Sequence, residues 1–185
     1  MDYSPIYTSD LILIVGNSIS SRQEVPWSEI RDRFSGNNPP KLILINPRLT
    51  FTASKVTVHL TIQPGSIHVV MKGLLNLIIQ AGYINEKSIK ERIEGFNFLS
   101  KTISGFTPHK VQQLTGVPVN LLMNAACMLG NTTTLYSVVL NEFYDHATVK
   151  EVYNLHHVRG LIDKKGCGIY LDYKFKTRQR NSYFR

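Results

Sequence analysis

Apolar residues fall in short runs whose spacing predicts strands and helices. Leu42-Ile43-Leu44-Ile45 is a continuous apolar run of strand length. From Phe51 to Ile62 the pattern changes to period two. Val56, Val58, Leu60 and Ile62 share one face, and Thr57, His59 and Thr61 the other. That is the signature of a half-buried strand. Pro64-Gly65 turns the chain, and Ser66 is placed to cap a helix. In that helix His68, Lys72, Asn76 and Gln80 recur every four residues as one polar stripe. A helix apolar over most of its girth belongs against a sheet or in a core. Gly82 is its expected stop.

Residues 85–100 have helical character, and 101–118 read as a long loop or short helical turns. Val119–Met128 suits helix or strand, and Leu135–Leu140 reads as a strand. Thr148 and Glu151 form a capping box for a helix that Gly160 ends. Leu161-Ile162, a turn at Lys164-Lys165-Gly166 and a strand from Ile169 to Phe175 then read as a β-hairpin. The order lacks visible βαβ alternation, so the expected class is α+β: a twisted antiparallel sheet packed with helices.

Residues 1–40 differ from the rest. Arg22, Arg31 and Arg33 against Asp2, Asp10, Glu24, Glu29 and Asp32 leave this stretch at −2. It ends in Gly36-Asn37-Asn38-Pro39-Pro40, which reads as a linker. It is expected to be a flexible arm ahead of a globular domain over 41–173 and a basic tail over 174–185. Two apolar islands lie in it, Leu11-Ile12-Leu13-Ile14-Val15 and Val25-Pro26-Trp27. These are candidate docking peptides for self-association; the first is alternatively an edge strand of the domain.

Composition adds charge to this picture. The 185 residues carry a net charge of +8, with a pI near 9.5. Such a balance suits a polyanionic partner. The charge is uneven, because Lys174, Lys176, Arg178, Arg180 and Arg185 follow the last acid, Asp172. With Lys164 and Lys165 on the hairpin tip, they are the candidate residues for binding an anionic membrane or a nucleocapsid. Helix, hairpin and basic tail also suggest a winged-helix nucleic-acid-binding regulator, although the strand-like 135–143 stretch stands where that module needs a helix.

Chemistry is sparse. No phosphate loop or HExxH pattern is present. His156 and His157 are adjacent and point apart on a helix. Cys127 and Cys167 cannot build a disulfide framework and have no metal-ligand spacing. A reducing compartment is the default for such thiols. No catalytic residue, metal or cofactor is expected. The N-terminus lacks a secretory pattern, and the Ile67–Ile84 stretch is too polar to span a bilayer, so membrane contact is expected to be peripheral.

Gly160-Leu161-Ile162-Asp163-Lys164-Lys165-Gly166-Cys167-Gly168-Ile169-Tyr170-Leu171-Asp172, with the helix before it, resembles the C-terminal region of rhabdovirus matrix proteins, most of all plant cytorhabdovirus members. The order from Val56 to Gly82 is similar too. The resemblance implies a non-enzymatic viral structural protein that self-associates through its arm and condenses the nucleocapsid. It also implies links to the inner face of the envelope and to the glycoprotein tail. Its location would be the virion, the host cytoplasm and host membranes. The chain departs from animal members in its acidic N-terminus. It also lacks their Pro-Pro-x-Tyr motif, since Pro39-Pro40 is followed by Lys41-Leu42.

Overall fold

The computed structural model describes residues 4–16, 27–47, 56–140 and 146–172. Five strands, β1 (Leu11–Gly16), β2 (Lys41–Asn46), β3 (Val58–Thr61), β4 (Leu135–Leu140) and β5 (Gly168–Asp172), form one sheet in the order β3-β2-β1-β4-β5. Every pairing is parallel. Eight helices are described: α1 (Ser4–Thr8), α2 (Trp27–Ser35), α3 (Ile67–Gln80), α4 (Glu86–Arg92), α5 (Phe96–Ile103), α6 (Pro108–Thr115), α7 (Val119–Asn131) and α8 (His146–Arg159).

The expected antiparallel sheet is thereby corrected, although the mixture of sheet and helices holds. The physical reason lies in the apolar runs. Leu11–Val15 and Leu42–Ile45 are buried without alternation, as strands covered on both faces must be. Parallel neighbours need a crossover, and α2 supplies it between β1 and β2. Likewise α8 joins β4 to β5. The expected hairpin is not formed: Leu161-Ile162 is not a strand, and β5 pairs with β4 from Tyr136↔Gly168 to Leu140↔Asp172. No helix precedes α8 by a short turn in the described residues; β4 stands there, which removes the winged-helix reading.

Residues expected to form a separate arm supply the middle of the sheet. β1 pairs with β2 on one side and β4 on the other. Leu11–Val15 are buried, at no more than 2% exposure, so no neighbouring chain can meet them in the folded protein.

Two apolar layers sandwich the sheet. Leu11, Leu13, Val15, Ile43, Ile45 and Val139 point to one face, packed against α3, α7 and α8. Ile12, Ile14, Leu42, Leu44 and Val138 point to the other, where Ile6 of α1 and Ile30 and Phe34 of α2 cover them. The apolar girth of α3 behaves as its spacing predicts, with Val70, Met71, Leu74, Leu75 and Ile78 fully buried, whereas Asn76 of the polar stripe is buried as well and donates to the Phe106 carbonyl. Val119–Met128 resolves as helix α7, and a turn of helix longer than expected forms at α6, begun by Thr107 and Pro108. The capping-box helix starts earlier than expected, at His146, so Thr148 and Glu151 lie inside α8, both buried.

Arg159 ties this layer together. Its guanidinium donates to the carbonyls of Leu129 (3.1 Å), Tyr83 (3.1 Å) and Thr132 (3.0 Å). One side chain thus satisfies acceptors at the end of α7 and just past α3, where helices leave carbonyls unpaired. No described helix is long and apolar enough to cross a membrane.

Candidate functional site

In an open parallel sheet, ligands bind outside the carboxyl ends of the strands where the strand order reverses. Here the chain steps from β1 outward through β2 to β3, then returns to the far side of β1 for β4 and β5. The reversal lies between β1 and β4. Their carboxyl ends are the register pair Gly16↔Leu140.

Gly16 fits that place for a steric reason. Its φ is +140°, and a Cβ built on it would stand 1.9 Å from the Leu140 carbonyl oxygen. Only glycine permits this approach. The absent side chain lets the carboxyl ends of β1 and β4 pack against each other, with Gly16 buried.

Polar groups gather at the neighbouring strand ends. Asn46 ends β2 and is 1% exposed. Its Oδ1 lies 2.8 Å from His59 Nε2, and His59 Nδ1 lies 3.2 Å from Thr61 Oγ1. Partial burial holds the His59 pKa below its usual value, against a hydrogen bond that the ring makes to the Asn46 main chain, which raises it. The imidazole is therefore neutral near pH 7. Beyond β3, Pro64-Gly65 turns the chain, and Ser66 Oγ donates to the Gln63 carbonyl at 2.7 Å. The amino end of α3 follows at the same edge of the sheet, where main-chain N–H groups favour negative charge. Among the described residues no group of three or more His, Cys, Asp or Glu side chains could hold a metal ion.

The opposite edge is closed by a different device. Asp10 Oδ2 accepts from Thr133 Oγ1 (2.9 Å) and Thr134 Oγ1 (2.8 Å), and the Asp10 N–H donates to Thr134 Oγ1 (2.9 Å). These bonds lash the start of β1 to the start of β4. A cavity of about 330 Å³ lies beside them, between Lys41 and the end of α7.

The sequence-derived candidates do not converge on either place. Leu11–Val15 are the central strand. Lys164 and Lys165 are exposed in the turn before β5, at the amino edge and away from the crevice. Val25, Pro26, Lys174, Lys176, Arg178, Arg180 and Arg185 lie outside the described residues; Trp27 opens α2. The residues at the crevice, Gly16, Asn46, His59 and Thr61, were not singled out as candidates. The available signal was an apolar run ending abruptly in Gly16-Asn17 and another ending in Asn46-Pro47.

No family model matches the chain. Curated relatives do. The chain is 32% identical over 166 residues to the F420-dependent formate dehydrogenase 2 subunit alpha of Methanococcus maripaludis, covering 87% of this chain and 24% of that protein. It is 29% identical over 170 residues to a nitrate reductase of Synechocystis, covering 90% of this chain and 24% of the relative. Among solved structures, the acetylene hydratase of Pelobacter acetylenicus superposes with a TM-score of 0.72 at 16% identity, over 88% of this chain and 25% of the hydratase. That likeness shows the fold. The chain spans about a quarter of the length of the curated relatives it matches.

These relatives overturn the viral reading. They are cellular proteins named as oxidoreductases, so the resemblance to rhabdovirus matrix proteins is corrected. The non-enzymatic assembly role, the nucleocapsid, membrane and glycoprotein partners and the virion location fall with it.

Proposed function

We propose that this chain is the parallel-sheet unit of a molybdopterin-type oxidoreductase catalytic subunit, and that its carboxyl-edge crevice holds a phosphate-bearing part of the cofactor. The observation that carries the reading is the similarity to the formate dehydrogenase subunit alpha across 166 residues. That span supplies a doubly wound sheet, whose switch point is the usual ligand position.

The residues suit one end of such a cofactor better than the other. Gly16 lets β1 and β4 approach closely at their carboxyl ends, and the α3 amino end and Asn46 are uncharged polar groups compatible with phosphate. The metal end finds no ligand set among the described residues. When bound, the cofactor supplies the electron-transfer chemistry of the whole subunit. This chain's residues bind and orient its polar end.

Calorimetry tests the reading. The 185-residue chain is titrated with pterin cofactor released from a formate dehydrogenase, and separately with ADP and GDP. Saturable binding at one site per chain is expected. Failure to bind any of the three overturns the crevice reading.

A further inference from the structure

The cavity at the amino edge of the sheet lies apart from the crevice. Asp10, Leu11, Lys41, Met128, Asn131 and Thr133 line it. Strand register sets its layout. Leu11 starts β1, with Lys41 beside it at the start of β2 and Leu135 beside it at the start of β4. Helix α7 runs into β4 through Thr132-Thr133-Thr134, so Asn131 and Thr133 stand at the β4 end.

Polar groups divide between the two ends. Acceptors stand at the β4 end. Asp10 Oδ2 already takes the Thr133 and Thr134 hydroxyl protons, which draws the carboxylate to that side. Its Oδ1 has no donor among the described residues. Asn131 Nδ2 donates to the Cys127 carbonyl at 2.9 Å, and Asn131 Oδ1 likewise has no donor among the described residues. A donor stands at the β2 end. The Lys41 main-chain N–H donates to the Asp10 carbonyl at 2.9 Å. The Lys41 ammonium nevertheless forms no ion pair with Asp10 or with any other described acid. Between the two ends the lining is apolar, with Leu11, only 2% exposed, and Met128.

Opposite charges that line one cavity and stay apart leave room for a ligand that carries both. Neighbouring strands lie about 4.8 Å apart, so β2 and β4, two spacings apart, hold the ends roughly 10 Å from each other. Charge-assisted hydrogen bonds of about 2.8 Å at each end leave roughly 4 Å between them. An α-amino acid spans about that distance from its ammonium nitrogen to a carboxylate oxygen.

We infer that the amino-edge cavity binds a free α-amino acid with an aliphatic side chain. The ligand's ammonium donates to Asp10 Oδ1 and Asn131 Oδ1, its carboxylate accepts from Lys41 Nζ, and its side chain lies on Leu11 and Met128. Ligand pockets run from about 300 to 1,000 Å³, and a cavity of about 330 Å³ suits so small a molecule. The site is separate from the carboxyl-edge crevice and does not rest on the reading given to that crevice.

Calorimetry on the 185-residue chain tests this, with L-leucine as the probe. One saturable site per chain is expected, with Kd below about 1 mM. Glycine lacks the side chain and is expected to bind at least about tenfold more weakly. L-leucinamide lacks the carboxylate and N-acetyl-L-leucine lacks the ammonium; each is expected to bind about tenfold more weakly than L-leucine. Lys41→Gln is expected to weaken L-leucine about tenfold and to leave L-leucinamide within about twofold of the parent, since that ligand brings no charge for Lys41 to hold. Asp10→Asn keeps an oxygen for the two threonine hydroxyls. It is expected to weaken L-leucine about tenfold and to leave N-acetyl-L-leucine within about twofold of the parent.

A Kd for L-leucine above about 1 mM overturns the site. Binding of either derivative as tightly as L-leucine overturns the recognition of both charges. Parental binding of L-leucine by Lys41→Gln overturns the assigned pose. The Lys41 side chain is exposed, so its replacement leaves the fold intact, and thermal midpoints verify folding of both variants.

Discussion

His156 Nε2 lies 2.9 Å from Ser137 Oγ, joining α8 to β4 inside the core. The imidazole is fully buried, and its Nδ1 has no hydrogen-bond partner. Burial, and secondarily the neighbouring His157, push its pKa down to about 3 from 6.5. A group with a depressed basic pKa is neutral when folded and protonates when the chain unfolds. Its destabilising effect begins as pH falls below 6.5 and grows until about 3. Urea unfolding is therefore expected to show about 2 kcal/mol less stability at pH 5 than at pH 7 from this residue. His156→Gln keeps a donor for Ser137 and does not titrate, so it is expected to flatten that dependence. An unchanged pH slope in the variant would place the acid sensitivity elsewhere.

Arg159 makes its three hydrogen bonds to carbonyls that have no other acceptor role in a helix. Arg159→Met keeps much of the apolar stem and removes the fork. The expected loss is roughly 2–4 kcal/mol, read as a fall in the urea midpoint at constant slope. Arg159→Lys is expected to recover little, because one ammonium cannot reach three divergent acceptors.

Gly16 and Gly65 both have positive φ, but their surroundings differ. A Cβ at Gly16 meets main chain, whereas at Gly65 it meets nothing within 4 Å. Gly65→Ala is expected to cost about 1 kcal/mol from backbone strain. Gly16→Ala is expected to cost about 3 kcal/mol or more, since β1 and β4 must separate. Comparable thermal midpoints for the two variants would contradict the close approach of those strands.

Removing residues 1–40 deletes the strand between β2 and β4. The truncated chain is expected to lose amide dispersion in NMR and cooperative melting. A milder test is Leu13→Ala, which is expected to cost about 2–5 kcal/mol by leaving a cavity at a fully buried site. A stability loss below 1 kcal/mol would show that Leu13 is not held in the core.

Much of the local structure was legible from residue spacing. The four-residue stripe of α3 and the runs of β2 and β4 mark elements that form. Strand direction was not legible, because apolar runs record burial and not orientation. Leu11–Val15 lost its place in the sheet because the polar, proline-rich stretch after it reads as a linker. With β1 set aside, the first βαβ unit disappeared, and an antiparallel sheet became the natural choice. The matrix-like run from Gly160 to Asp172 combines a helix stop and a turn, built on the positive φ angles of Gly160 and Gly166. Such punctuation recurs in unrelated folds. The crevice was hidden for another reason: Asn46, His59 and Thr61 meet only through the parallel register of β2 and β3.

The lashing of β1 to β4 through Asp10 and Thr134 spans a sequence separation of 124 residues. During synthesis the Leu-Ile-Leu-Ile-Val strand leaves the ribosome long before its second neighbour exists. Until β4 arrives, one edge of the most apolar strand stays open to any other extended chain. Folding should therefore be slow for a chain of this size, and its yield in a cell should depend on chaperones that shield that edge.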